Sequence, residues 1–212
     1  MQNTRNRTIL LAKMGLMTGI ALICSLIHFP ILPAAPFLEF EVLDIPVIIS
    51  AFAFGPLPGA AIGIVSILLS VALGIANSVP YGPIMHIIAL VAVVLVVGYF
   101  YKHHKTKKGA IIALILGGLA LVIVMIPANL IVTPIFMGLP VEAIYRLILP
   151  ESWLNALGVP PPATPLPFPI PPVLIPFNLI KAAINGVVVF LLYKRLSPFL
   201  HGTGKPAQQG NV

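Results

Sequence analysis

The sequence predicts an all-α integral membrane protein of six transmembrane helices, with the N- and C-termini both cytoplasmic. Three observations carry that expectation. The chain is 59% hydrophobic and only 8% charged over 212 residues, whereas a soluble domain carries about 25% charged residues because its surface must face water. Lipid is therefore its main solvent. The apolar residues fall into segments of roughly membrane length, and six of them with their connections use up the chain. The basic residues gather at alternate segment ends, which gives the spans a direction.

Residues 1–13 are polar and basic, with Arg5, Arg7 and Lys13 ahead of an apolar run that ends at Phe29. A secretory signal cleaved near Ala34-Ala35 is one reading. The adjoining prolines are poor for processing and five more apolar segments follow, so a retained first helix over about 8–28 is expected. Residues 29–43 (FPILPAAPFLEFEVL) read as a Pro-rich, largely apolar loop. The second segment, about 44–57, is short and stops at the tight break Gly55-Pro56-Leu57-Pro58-Gly59. The third covers about 59–76, and Asn77 to Pro83 forms the next turn. The fourth, about 84–101, is rich in β-branched residues, and the fifth, about 109–137, contains Pro127, Asn129 and Pro134. Residues 138–172 form a long loop. It starts with an amphipathic piece carrying Glu142, Tyr145, Arg146 and Trp153, and continues as PPPATPLPFPIPP, an extended spacer. The sixth segment, about 173–193, ends in Lys194 and Arg195. The expectation is one six-helix domain over 1–200 and a polar cytoplasmic tail over 201–212.

Charge placement tests this count. With a cytoplasmic N-terminus the inner loops hold Arg5, Arg7, Lys13, Lys102, Lys105, Lys107, Lys108, Lys194, Arg195 and Lys205, while Glu39, Glu41, Asp44, Glu142 and Glu151 fall in or at the edge of outer loops. Only Arg146 breaks the pattern. The net charge of +7 thus faces anionic headgroups of the bilayer. No aromatic-interleaved basic surface is present, which excludes nucleic acid as a partner. Cys24 is the single cysteine and forms no internal disulfide. No metal-ligand spacing, nucleophile elbow or GxxxxGK occurs, so neither enzyme chemistry, nor a metal, nor ATP hydrolysis by this chain is expected.

Polar residues at membrane depth are the informative ones, because they are expensive. Lys181 lies about eight residues into the sixth segment, where a lysine costs roughly 2.5–3.5 kcal/mol unless it snorkels or faces the bundle. Asn178, Lys181 and Asn185 follow an i, i+3, i+7 spacing and share one helix face. Asn129, between two prolines, is a further costly group. Interhelical glue is the bland reading of any one asparagine; together these groups read as the wall of a polar ligand pocket. In FLEFEVLD, Leu38 and Phe40 suit an apolar surface, while Glu39 and Glu41 suit hydroxyls or Lys181; a solvated acidic loop is the alternative. Gly15 and Gly19, extended by Ala12, make a small-residue stripe for close helix approach. His86 reads as packed within the bundle.

These landmarks resemble the substrate-binding S components of energy-coupling factor (ECF) transporters, in particular the riboflavin-specific RibU family. The resemblance rests on FPILPAAPFLEFEVLDIPVIISAFAFGP (29–56), GPIMHIIA (82–89), IPANLIVTPIFMG (126–138) followed by PVEAI, and IPFNLIKAAIN (175–185). It implies six helices, a pocket open to the outside and capped by the loop after helix one, and riboflavin as the bound ligand, with no cofactor of the chain's own. By position it matches Asn129, Asn178 and Lys181 to polar groups that contact flavin and places Glu39 in the capping loop; the substrate site expected from these readings together is Leu38, Glu39, Phe40, Gly82, Asn129, Thr133, Asn178, Lys181 and Asn185. It also implies docking through Ala12, Gly15 and Gly19 on an EcfT-type membrane subunit with two ATPase subunits, which use the ATP. The lengthened stretch ESWLNALGVPPPATPLPFPIPP departs from the family pattern.

Three rival readings stand beside it. One is an S component for another flavin or vitamin. Another is a stand-alone secondary transporter, which lacks here the acid-based proton relay such machines use. The third is an intramembrane enzyme, for which no catalytic pair is present.

Overall fold

Helix packing around one short, largely apolar segment organises the computed structural model, which describes residues 2–31, 38–77, 79–137, 151–156 and 174–201. In chain order the elements are α1 (Gln2–Cys24), β1 (His28–Pro30), β2 (Glu39–Glu41), α2 (Asp44–Phe54), α3 (Pro56–Ala72), α4 (Tyr81–His103), α5 (Lys107–Met137), α6 (Glu151–Ala156) and α7 (Leu174–His201). All six apolar segments expected from the sequence are helical, and α6 is a short addition in the long loop. Four helices, α1, α4, α5 and α7, contain stretches long and apolar enough to cross a membrane; α2 and α3 are shorter. The chain is a multi-pass membrane protein.

The structure differs from the sequence reading in several places, the last helix running on to His201 among them. The first helix begins at Gln2 and takes in the basic N-terminal residues. The third begins at Pro56, inside the expected break. Proline is tolerated in a first helical turn, where no intrahelical partner awaits its missing N–H, so Pro56 and Pro58 start a helix here and do not merely interrupt one. The expected loop after helix one contains a small antiparallel hairpin, so the chain is not purely helical. Its register pairs His28 with Glu41, Phe29 with Phe40 and Pro30 with Glu39. Side chains alternate across a strand, so Glu39 and Glu41 share one face while Phe40 turns into the core, 3% exposed, against the Phe29 ring at 5.5 Å. The Pro-rich spacer and the tail from 202 onward lie outside the described residues.

At the centre is α2. Its 11 residues span about 16 Å at 1.5 Å per residue, half a bilayer's hydrocarbon thickness. Residues 44 to 52 are all buried, as expected of a helix that is apolar round most of its surface; Asp44 and Ser50 are its buried polar residues. It packs on α1, α3, α4 and α7. The α2–α3 corner turns at Gly55, whose φ of 96° favours glycine, and presses on α4 at Gly98, where a Cβ would stand 2.7 Å from the Pro56 backbone N and Cα. At the far end of α2 from the hairpin, Phe52 packs 4.7 Å from Tyr101 and 5.0 Å from Tyr193, and the two tyrosine hydroxyls hydrogen-bond at 2.8 Å.

The close approach at Gly98 gives a stability test. Gly98→Ala pushes α4 off the corner and should cost about 1–3 kcal/mol, the usual penalty of overpacking. This is read as a lowered thermal midpoint in detergent, with Gly15→Ala, where nothing lies within 4 Å, as the neutral comparison.

Candidate functional site

A polar cleft lies between the hairpin and the adjacent ends of α3, α4, α5 and α7. Its wall includes Leu38, Glu39, Glu41, Asn77, Gly82, His86, Asn129, Asn178 and Lys181, with Met85, Met125 and Phe177 as apolar surfaces, and it encloses about 100 Å³. Asn129 and Asn178 each donate from Nδ2 to a backbone carbonyl one turn back, Asn129 to Met125 O and Asn178 to Leu174 O, both at 2.8 Å. Their amide oxygens add acceptors to those of Glu39 and Glu41 on this wall; Asn129 Oδ1 accepts from the Tyr81 hydroxyl at 3.3 Å.

Lys181 does not snorkel. It is 7% exposed, and its Nζ lies 3.1 Å from Asp44 Oδ2. The same oxygen accepts from Asn185 Nδ2 at 3.1 Å, and Asp44 Oδ1 lies 2.6 Å from His86 Nε2. His86 Nδ1 in turn lies 3.0 Å from Glu41 Oε1. With a carboxylate at each ring nitrogen, both nitrogens must donate, so His86 is an imidazolium. Two carboxylates and two cations thus form one chain from the hairpin through α2 to α4 and α7. A second, more exposed set fastens the hairpin: His28 Nδ1 meets Glu39 Oε2 at 3.0 Å, and Asn77 Nδ2 donates to both Glu39 oxygens at 3.2 Å.

Most of the expected site residues converge here. Leu38, Glu39, Gly82, Asn129, Asn178 and Lys181 line the cleft. Phe40 faces the core, and Asn185 lies behind the wall on Asp44. The side chain of Thr133 lies outside the described residues. The carboxylate on Lys181 is Asp44, not Glu39 or Glu41 as the sequence suggested. Asp44, His28 and Asn77 were not picked out as site residues. The alternation Glu39-Phe40-Glu41 was a readable strand signal, but no sequence pattern pairs Asp44 with residues on other helices. On α1, Ala12, Gly15 and Gly19 are exposed, with open space around both glycines.

A buried, charge-paired polar cleft inside a bundle of apolar helices defines a membrane-embedded protein that handles a small polar solute. The chain matches the family of ECF transporter substrate-specific components over residues 10–193, and it belongs to that family, whose members are transporter subunits and not enzymes. It is similar to "Riboflavin transporter RibU" of Staphylococcus aureus, 29% identical over 190 residues that cover 90% of this chain and 91% of the relative. It is also similar to "Riboflavin transporter FmnP" of Bacillus subtilis, 28% identical over 193 residues, 90% of this chain and 93% of that one. A solved S component of a bacterial ECF transporter superposes with a TM-score of 0.70 at 26% identity, covering 92% of this chain and 99% of the other.

The hairpin seat is expected to depend on pH. Burial pushes the Glu41 carboxyl up, but the His86 charge and hydrogen bond, with Lys181, outweigh both burial and the Asp44 charge and hold it below its ordinary value. A carboxyl lowered by folding stabilises the fold above its unfolded pKa and loses that contribution as pH falls through the folded one. The difference in thermal midpoint between the wild type and Glu41→Gln should therefore be constant from neutral pH down to about 5 and shrink below about 4.

Proposed function

We propose that this chain captures riboflavin on the outer side of a bacterial plasma membrane and hands it to an ATP-driven ECF importer. The observation that carries this reading is the convergence of Asn129, Asn178 and Lys181 beneath a fastened hairpin, in a chain whose similar proteins are named riboflavin transporters. Riboflavin is a flat ring with one uracil-like edge and a hydroxylated tail. The asparagine carbonyls suit the imide N–H of that edge, and the Lys181 ammonium suits a ring carbonyl or N1. Met85, Met125 and Phe177 suit the ring faces, and the hairpin carboxylates suit tail hydroxyls.

On this reading all six apolar helices are membrane-embedded, the hairpin faces outward and both termini are cytoplasmic, in line with the basic inner loops. ATP is used by two ATPase subunits, joined to this chain through an EcfT-type membrane subunit. The exposed stripe of Ala12, Gly15 and Gly19 gives a partner helix a surface for close approach. The cleft's 100 Å³ is smaller than the roughly 300–1,000 Å³ of small-molecule sites. The ring therefore enters as the hairpin parts from the α3–α4 turn, at the Glu39–Asn77 bonds.

Protein purified in detergent from flavin-containing medium should be yellow, with absorbance bands near those of free flavin. A colourless preparation that leaves added riboflavin fluorescence unquenched overturns the reading. Lys181→Ala and Asn129→Ala should each weaken binding by about 1–3 kcal/mol, the penalty for an orphaned polar group, in a quenching titration. In a Cys24→Ser background, an oxidised Glu39→Cys/Asn77→Cys pair should block flavin entry, and reduction should restore it.

A further inference from the structure

We propose that Asp44, which is not part of the cleft wall, is the positioning residue of the binding site. It sets where the Lys181 ammonium stands in that wall and, through His86, where the hairpin seats at Glu41. The proposal rests on the riboflavin reading for its ligand and on geometry for the rest. Lys181, His86 and Glu41 all line the cleft; Asp44 is 3% exposed and reaches Lys181, His86 and Asn185 with its two oxygens.

A lysine is a compact charge on a flexible four-carbon stem. Without an anchor, its ammonium would sample several rotamers and lose freedom on meeting a ligand. Asp44 removes that freedom in advance. Its helix is suited to the task, because α2 packs on four other helices and is the most enclosed element described. Asn185 completes the anchor by donating to the same oxygen as Lys181, so the ammonium keeps its other protons for the cleft. His86 extends the fixation outward. Its ring bridges Asp44 and Glu41, so displacement of the Asp44 carboxylate moves both a wall donor and the hairpin strand that covers it.

The test is a double-mutant cycle between Asp44→Asn and Lys181→Met, with riboflavin affinity measured on the folded fraction by fluorescence quenching. Asp44→Asn alone should weaken binding by about tenfold or more. In the Lys181→Met background the same change should cost clearly less, because the part that acts through the ammonium is gone and only the part passed through His86 to the hairpin remains. Equal losses in both backgrounds, or unchanged affinity with a lower thermal midpoint, overturn the proposal and leave Asp44 a structural residue. If Asp44→Asn does not fold, Asp44→Glu keeps the charge and displaces it by one methylene; it should show the same loss and the same partial cancellation.

A ligand-free readout separates this proposal from the riboflavin reading. Lys181 should resist acetylation by an amine-reactive reagent in the wild type and become modified in Asp44→Asn, as followed by mass spectrometry. A wild-type protein that binds no riboflavin but shows this change in reactivity removes the ligand assignment and keeps the positioning role. Equal reactivity in the two proteins removes the positioning role whatever the ligand is.

Discussion

A carboxylate buried at the head of α2, a short helix enclosed by its neighbours, is the constraint around which the cleft is arranged. Asp44 sits in apolar surroundings where an unpaired charge is not tolerated, and breaking such a pair by removing one partner costs about 3–5 kcal/mol. Its compensation comes from three side chains on two other helices: His86 on α4, and Lys181 and Asn185 on α7. Each of these is itself costly at depth. The four offset much of one another's cost as a group, although Asn185 Oδ1 is left buried without a hydrogen-bond partner. The group also fixes the relative placement of α2, α4 and α7, the elements that the cleft needs held in register.

The hairpin extends the same logic to the protein's edge. Glu41 and Glu39 lie on one face of a three-residue strand, each facing a histidine and each also reaching beyond the hairpin. Glu41 is held by His86 of the bundle, and Glu39 by Asn77 of the α3–α4 turn as well as by its strand neighbour His28. The two attachments differ in character. The inner one joins the buried ion chain, whereas the outer one is exposed to solvent, where hydrogen bonds exchange readily with water. Motion of the hairpin is therefore easiest at Glu39 and most restrained at Glu41.

Much of this was legible in the sequence, and the reasons for what was not are physical. Helical segments announced themselves through apolar runs bounded by charge, and the face shared by Asn178 and Lys181 followed from helical spacing alone. Asn185 lies on that face too, yet spacing says nothing of depth, and the structure turns it toward Asp44 behind the wall. Asp44 read as an acid at the edge of an outer loop because it opens an apolar helix; its partners are 42 and 141 residues away, and pairing over such distances leaves no local pattern. The GPLPG stretch read as a break because its prolines were weighed as interrupters, although a first helical turn accepts them. The hairpin shows in the sequence only as the alternation Glu39-Phe40-Glu41, too short and too close to prolines to announce a strand pair.

Phe52, Tyr101 and Tyr193 close the bundle on the side opposite the hairpin, with rings in mutual contact and the two hydroxyls bonded. Such a stopper makes the protein a cup, not a pipe. The cleft at the hairpin end does not reach those rings, and inward passage along the helix axes would mean prising them apart. If the chain takes up its solute at the hairpin end, that solute leaves by the end through which it entered.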